Sequence, residues 1–132
     1  KIRKSFQVLT TTPGIGPILG MTIMFEVGDI SRFSAAGNYA SYCRCVKSAR
    51  LSNKKKKGQG NRKNGNKYLG WAYVEAAHLT TRYCSKANAF YQRKKAQKNG
   101  ALATTALENK LARANFNMLK HQDPFEEKKL FP

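Results

Sequence analysis

Acidic residues are scarce in this 132-residue chain, where seven Asp and Glu stand against 25 Lys and Arg and give a net charge of +18. Between Ile30 and Val74 acids are missing altogether, while eleven basic residues fall in the same stretch. Charge of one sign at that density repels itself unless a polyanion neutralises it, and nucleic acid is the commonest polyanion in a cell. Long apolar runs are also lacking. The longest, Ile15 to Val27, contains Pro17 and Glu26 and is too short to span a bilayer, and no signal pattern opens the chain, so a soluble intracellular protein is expected. Cysteine is sparse: Cys43, Cys45 and Cys84 are odd in number, and Cys-x-Cys lacks the two-residue gap of zinc knuckles, so they read as reduced packing residues. Carboxylates paired for metal work are absent, for Glu26 and Asp29 alone fall short of a phosphoryl-transfer cluster.

What is present describes a folded domain. Hydrophobic residues make up 41% and aromatics 11%, too rich for a disordered basic tail. The length suits one domain, which buries roughly two thirds of its unfolded surface. The chain opens on Lys1 rather than Met, and is read as a piece of a longer polypeptide.

No strand alternation or internal repeat occurs, and the architecture reads as all-α. Pro13-Gly14-Ile15-Gly16-Pro17 forms a glycine turn, with Pro17 suited to the first position of a helix that runs to Val27 and stops at Gly28. Ser31 or Ser34 caps a second helix through about Cys43, with Phe33, Ala36, Tyr39, Ala40 and Cys43 on one side. Residues 9–43 thus form a hairpin-helix part. Across 44–66 periodicity vanishes, and Lys54 to Gly65 is expected to be a mobile loop that orders on its ligand. Residues 67–121 return to helical stripes: Leu69, Ala72, Ala76, Leu79 and Tyr83, then Ala87, Phe90, Tyr91 and Lys94 behind a Ser85 cap, then Ala103, Leu107, Leu111, Ala114 and Met118 after an Asn99-Gly100 break. The tail, 122–132, carries two prolines and three acids and is expected to pack loosely.

Three constellations could carry chemistry. The glycine turn ahead of a helix resembles the hairpin of helix-hairpin-helix modules, where amides near Gly14 and Gly16 would hold a phosphate; a tight turn without ligand fits the same residues. Arg50, Lys54, Lys55, Lys56, Lys57, Arg62, Lys63, Asn64, Asn66 and Lys67 form the electrostatic footprint, whose bland alternative is a solvated charge run or a localisation signal. Aromatics that could stack bases lie only at its rims, Tyr42 and Tyr68, which favours backbone contacts over sequence reading. Ser52, embedded among those cations, has no histidine or carboxylate beside it in sequence. It is turn material on that ground, although cations would stabilise the charge that builds when a serine attacks a phosphodiester. His78, Trp71, Tyr73 and Tyr83 read first as packing residues.

Leu9-Thr10-Thr11-Thr12-Pro13-Gly14-Ile15-Gly16-Pro17, Glu26-Val27-Gly28-Asp29-Ile30-Ser31-Arg32-Phe33, Tyr39-Ala40-Ser41-Tyr42-Cys43, Ser52, and Arg62-Lys63-Asn64-Gly65-Asn66-Lys67-Tyr68-Leu69 with Trp71-Ala72 and Glu75-Ala76-Ala77 occur in that order, with Pro124-Phe125 after the last helix. Together they resemble the C-terminal domain of insertion-sequence transposases of the one-ten and eleven-eleven groups. The resemblance implies a recombinase guided by a structured bridge RNA and acting on DNA at the prokaryotic nucleoid, as a homo-oligomer when full length. It further implies an absent N-terminal domain of resolvase-like fold holding four acids and magnesium, and a serine, matched by Ser52, that joins covalently to a DNA end. Asn53 stands where members often have glycine, and Arg44 and Lys47 stand where many have glycine and proline. The alternative is a non-catalytic helix-hairpin-helix nucleic-acid-binding module.

Overall fold

The computed structural model describes residues 2–46 and 65–132. They form seven α-helices: α1 (Ile2–Leu9), α2 (Pro17–Val27), α3 (Ala36–Tyr42), α4 (Lys67–Tyr83), α5 (Ser85–Gln97), α6 (Gly100–His121) and α7 (Glu127–Leu130), with a 3₁₀ turn at Ile30–Arg32. No strand occurs among the described residues, which are all-α as expected, and none of their helices is long and apolar enough to cross a membrane.

Local chemistry sets most boundaries. Pro17 opens α2, and Gly28 closes it at φ +69 with its amide on Met24 O at 3.1 Å. Asn66 Oδ1 caps α4 by accepting from the amides of Tyr68 and Leu69, and Asn99 Oδ1 caps α6 by accepting from Leu102 N. Asn99-Gly100 therefore begins a helix as well as ending one. α6 is the spine, with α3, α4 and α5 packed along it and Leu107, Leu111, Ala112, Asn115 and Phe116 buried at its centre.

One helix went unread in the sequence, and three expectations need correction. The first eight-residue helix lacks any sequence cap and is held by burial of Val8 and Leu9, while Thr10 and Thr11 hydroxyls donate back to its last carbonyls. The second helix begins later than Ser31 or Ser34, because Asp29 accepts from the Ser31 amide and hydroxyl and holds a 3₁₀ turn, and Ala35 occupies the cap position of α3. Tyr83, on the α4 stripe by spacing, is 70% exposed because the helix ends there, beyond the core. The tail does not pack loosely: Phe131 is buried with its ring centroid 5.7 Å from that of Phe90, Lys110 Nζ donates to Leu130 O at 3.0 Å, and Phe125 N donates to Thr11 Oγ1 at 2.8 Å.

A chain of buried polar groups crosses the middle of the domain. Tyr73 OH donates to Asn115 Oδ1 at 2.8 Å, so Tyr39 donates in the 2.9 Å bond between the two phenols. Asn115 Nδ2 continues the chain to Thr12 Oγ1 at 3.2 Å. It joins α3, α4, α6 and the turn after α1. Burial, with each phenol's neighbours, holds both tyrosines well above their usual range, so they act as neutral hydrogen-bonding groups. Asn115→Ala leaves Tyr73 and Thr12 without their partner and opens a cavity. It should lower stability by about 2–4 kcal/mol in urea unfolding, against about 0.5 kcal/mol for the exposed Asn117→Ala.

Candidate nucleic-acid interface

The two expected phosphate-holding glycines have different surroundings. Gly14 sits at φ +97, and a Cβ there would lie 2.7 Å from Thr80 N and 2.8 Å from Thr80 Oγ1. Its missing side chain lets the turn close onto α4, where Thr80 Oγ1 donates to Pro13 O at 2.7 Å. Gly16 has open space where a Cβ would be, and it precedes α2 without a side-chain cap.

Arg50, Ser52, Lys54, Lys55, Lys56, Lys57, Arg62, Lys63 and Asn64 lie outside the described residues. What the structure describes is the stem on either side of them. Helix α3 ends with Arg44 at φ +60, Arg44 N on Ser41 O at 3.0 Å and Cys45 N on Ala40 O at 2.9 Å, a Schellman pattern with a non-glycine residue at the left-handed position. A left-handed non-glycine residue costs about 1–2 kcal/mol, and packing offsets it here: a Cβ on Gly70 would lie 3.4 Å from Arg44 Cδ, and one on Gly65 3.3 Å from Arg44 Cγ.

The returning side of the stem is fixed to the departing one. Asn66 N donates to Tyr42 O at 2.7 Å, and Gly65, at φ +95, comes so close that a Cβ would lie 2.6 Å from that carbonyl. Asn109 Nδ2, from α6, holds Cys45 O at 3.1 Å. Besides its capping role, Asn66 donates through Nδ2 to Glu26 Oε1 at 2.8 Å and to Tyr42 OH at 3.4 Å, so its amide is engaged within the protein. Lys67 is exposed, its ammonium 5.4 Å from the Tyr68 ring centroid.

Sequence reading missed a second layer of this stem. The Arg32 guanidinium lies 4.8 Å from the Phe33 centroid and 4.9 Å from that of Tyr42, and donates to Val27 O at 2.7 Å. Hydrogen bonds from Asn66 and then from Arg32 hold the Tyr42 phenol below its usual range. The block Asp29-Ile30-Ser31-Arg32-Phe33 was visible in sequence, but the partner Tyr42 becomes its neighbour only on folding. Glu26 and Asp29 are occupied in the stem and the 3₁₀ turn, and among the described residues no three His, Cys, Asp or Glu side chains come together as a metal site.

Cys43, Cys45 and Cys84 are free thiols, buried as expected. Burial pushes Cys43 up to about 12 and Cys45 well above its usual value, which makes them poor nucleophiles. Beside Cys45 lies Glu108, only 6% exposed, and burial pushes its carboxyl from 4.5 up to about 7. His78 is exposed, not packed, and Trp71 is half exposed, whereas Tyr73 is fully in the core.

Residues 6–92 match the family described as "Transposase IS116/IS110/IS902 family", a span that includes the glycine turn, the stem and Ser52. A relative from Streptomyces clavuligerus, "Insertion element IS116 uncharacterized 44.8 kDa protein", is 27% identical over 125 residues, covering 90% of this chain. The chain spans 31% of that relative's length.

The Glu108 shift has a definite sign. A carboxyl whose folded pKa exceeds its unfolded one stabilises the fold fully below the unfolded value and loses that contribution as pH rises through the folded value. Stability should therefore fall between pH 4.5 and about 7, by up to about 3 kcal/mol, and Glu108→Gln should flatten this part of the profile in denaturant titrations at successive pH values. With its turn, its stem and the intervening segment all inside the matched span, the chain belongs to the IS116/IS110/IS902 transposase family.

Proposed function

We propose that this chain is the C-terminal nucleic-acid-binding domain of a transposase, and that it supplies Ser52 as the nucleophile that joins covalently to a DNA end during transposition. The observation that carries this reading is the family match across residues 6–92, a span whose sequence includes Ser52. The charge balance supports the nucleic-acid part: eleven cations and no acid surround the serine in sequence, from Ile30 to Val74.

In this reading the cations of residues 50–67 neutralise DNA or guide-RNA phosphates, and the stem fixes where the segment leaves and re-enters the domain. The Ser52 hydroxyl attacks a phosphodiester phosphorus as its proton leaves to a base. The bond from phosphorus to the leaving sugar oxygen breaks, and that oxygen takes up a proton. The resulting phosphoserine is still a diester, linked to Ser52 on one side and to the DNA end on the other, so a second sugar hydroxyl can displace the serine without a nucleotide cofactor. Arginine and lysine stabilise the charge developing on the phosphoryl oxygens more than the starting diester. Magnesium belongs, by the resemblance, to an N-terminal domain, and among the described residues no three His, Cys, Asp or Glu side chains come together to hold it. Guide-RNA binding, assembly of several copies and inactivity of this domain alone are parts of the same proposal. The amides at the uncapped start of α2, beside Gly16, would hold a further phosphate in the manner of a helix-hairpin-helix.

Two experiments test the reading. With about six to ten phosphate contacts, the affinity of the 132-residue chain for duplex DNA should fall roughly a thousandfold to a hundred-thousandfold between about 50 and 200 mM salt. Replacing Lys54, Lys55, Lys56 and Lys57 by Gln should weaken binding to all sequences alike, and a salt-insensitive parent affinity would sink the nucleic-acid reading. In the full-length protein with guide RNA and magnesium, Ser52→Ala should abolish strand exchange, by a factor on the order of a million, with DNA binding nearly unchanged. Trapping the protein–DNA adduct under denaturing conditions and mapping it by peptide mass checks the assignment. An adduct on another residue, or full recombination by the alanine variant, returns the domain to a binding module.

A further inference from the structure

A second concentration of positive charge lies on a different face of α6 from the stem. Helix α5 carries Lys86, Arg93, Lys94 and Lys95 and no acid. Three cations meet over the ring of Phe90: Arg93 and Lys94 at 5.7 Å from its centroid and Lys110, from α6, at 5.2 Å. The negative face of the ring favours cations placed there, and Lys110 is further fixed by its bond to Leu130 O and by Phe131 at 5.8 Å. A shallow depression of about 380 Å³ opens between them, lined by Lys86, Arg93 and Lys110 over the Phe90 and Phe131 rings, and no acid lines it.

Among the described residues none of these cations forms an ion pair with a carboxylate; of the tail acids, Glu126 pairs with Lys129 at 2.9 Å and Glu127 accepts from the Cys84 thiol at 3.1 Å. The site is also distinct from the stem, because Asn109 reaches Cys45 while the next residue of α6, Lys110, reaches Leu130, and successive helical residues point about 100° apart. Lys86 and Arg93 are two turns apart on α5, a rise of about 10 Å, so each can meet a separate phosphate.

We propose that the α5–α6 face built around Phe90 is a second phosphate-binding surface, holding the phosphodiester backbone of a nucleic acid independently of residues 47–64. The proposal rests on the nucleic-acid reading above and adds a second contact to it. The phenyl rings are buried and serve to position cations, so the surface reads no base.

The test compares the parent chain with Lys86→Gln/Arg93→Gln and with the variant lacking the four lysines 54–57. Binding of a DNA duplex and of an RNA hairpin is measured between about 50 and 200 mM salt. Each lost phosphate contact lowers the slope of log affinity against log salt by about 0.9, so the α5 pair should flatten it by about two. Lys86 and Arg93 are exposed, and matching thermal unfolding of parent and variant checks the fold. Lys86→Arg/Arg93→Lys, which keeps both charges, should restore the slope. Loss on both nucleic acids supports the surface, and loss on one alone supports it and identifies the polymer held there. An unchanged slope on both, while the 54–57 variant weakens, overturns this surface and leaves the main reading standing. A parent that binds neither nucleic acid overturns both.

Discussion

The Tyr73 hydroxyl sits where α3, α4, α6 and the turn after α1 meet, and its orientation settles the rest of the buried chain. A phenol has one proton to give. Because it goes to Asn115 Oδ1, Tyr39 must donate to Tyr73, and the Asn115 amide group must turn toward Thr12. Each member thus fixes the next, and a shift of any of the four elements would leave a buried polar group unpaired at a penalty of about 1–3 kcal/mol. An apolar core of the same volume would tolerate sliding between helices far better. The register of α3 against α4 is what this chain protects, and that register brings Tyr42 opposite Asn66.

The second constraint is repulsion. Residues 47–64 carry Lys47, Arg50, Lys54 to Lys57, Arg62 and Lys63 with no internal acid, so the fold must secure both ends of that segment without help from ion pairs inside it. It does so mainly with neutral groups and a single carboxylate: backbone bonds between Tyr42 and Asn66, the Asn109 amide on Cys45 O, and Glu26 on Asn66. Such bonds keep their strength as salt rises, whereas the phosphate contacts proposed for the segment would weaken. A domain that meets and leaves nucleic acid needs this separation between what holds its shape and what holds its ligand.

Much of this fold could be read from sequence because its signals are local. Pro17 and Gly28 bound α2, Asn66 and Asn99 stand at helix starts, and the stripes of α4 and α6 follow the helical period. Where the reading erred, the deciding partner lay far along the chain. Helix α1 is short and uncapped, and its order comes from α2 and α6. Phe131 looked like a loose end until Phe90 and Lys110 supplied its surroundings. The stem was hidden for the same reason: Glu26, Arg32, Tyr42 and Asn66 come from four places in sequence, and each is ordinary alone. Glu108 gave no signal, because an acid on a long helix normally faces water and only packing beside Cys45 shows that this one does not.

The glycine turn shows why a motif and its chemistry must be argued residue by residue. Gly14 and Gly16 look equivalent as two small residues before a helix. Replacing Gly14 would drive a methyl group into the Thr80 backbone at a positive φ, so its glycine character is consumed by packing the turn onto α4. Gly16 carries no such obligation, having open space at its Cβ position and an extended backbone that other residues also adopt. A phosphate bound here as proposed would therefore meet Gly16 and the first amides of α2, with Gly14 packed behind them against Thr80. On that proposal, loss of Gly14 would act only by moving the turn, whereas a bulky residue at position 16 would block access while leaving the core intact.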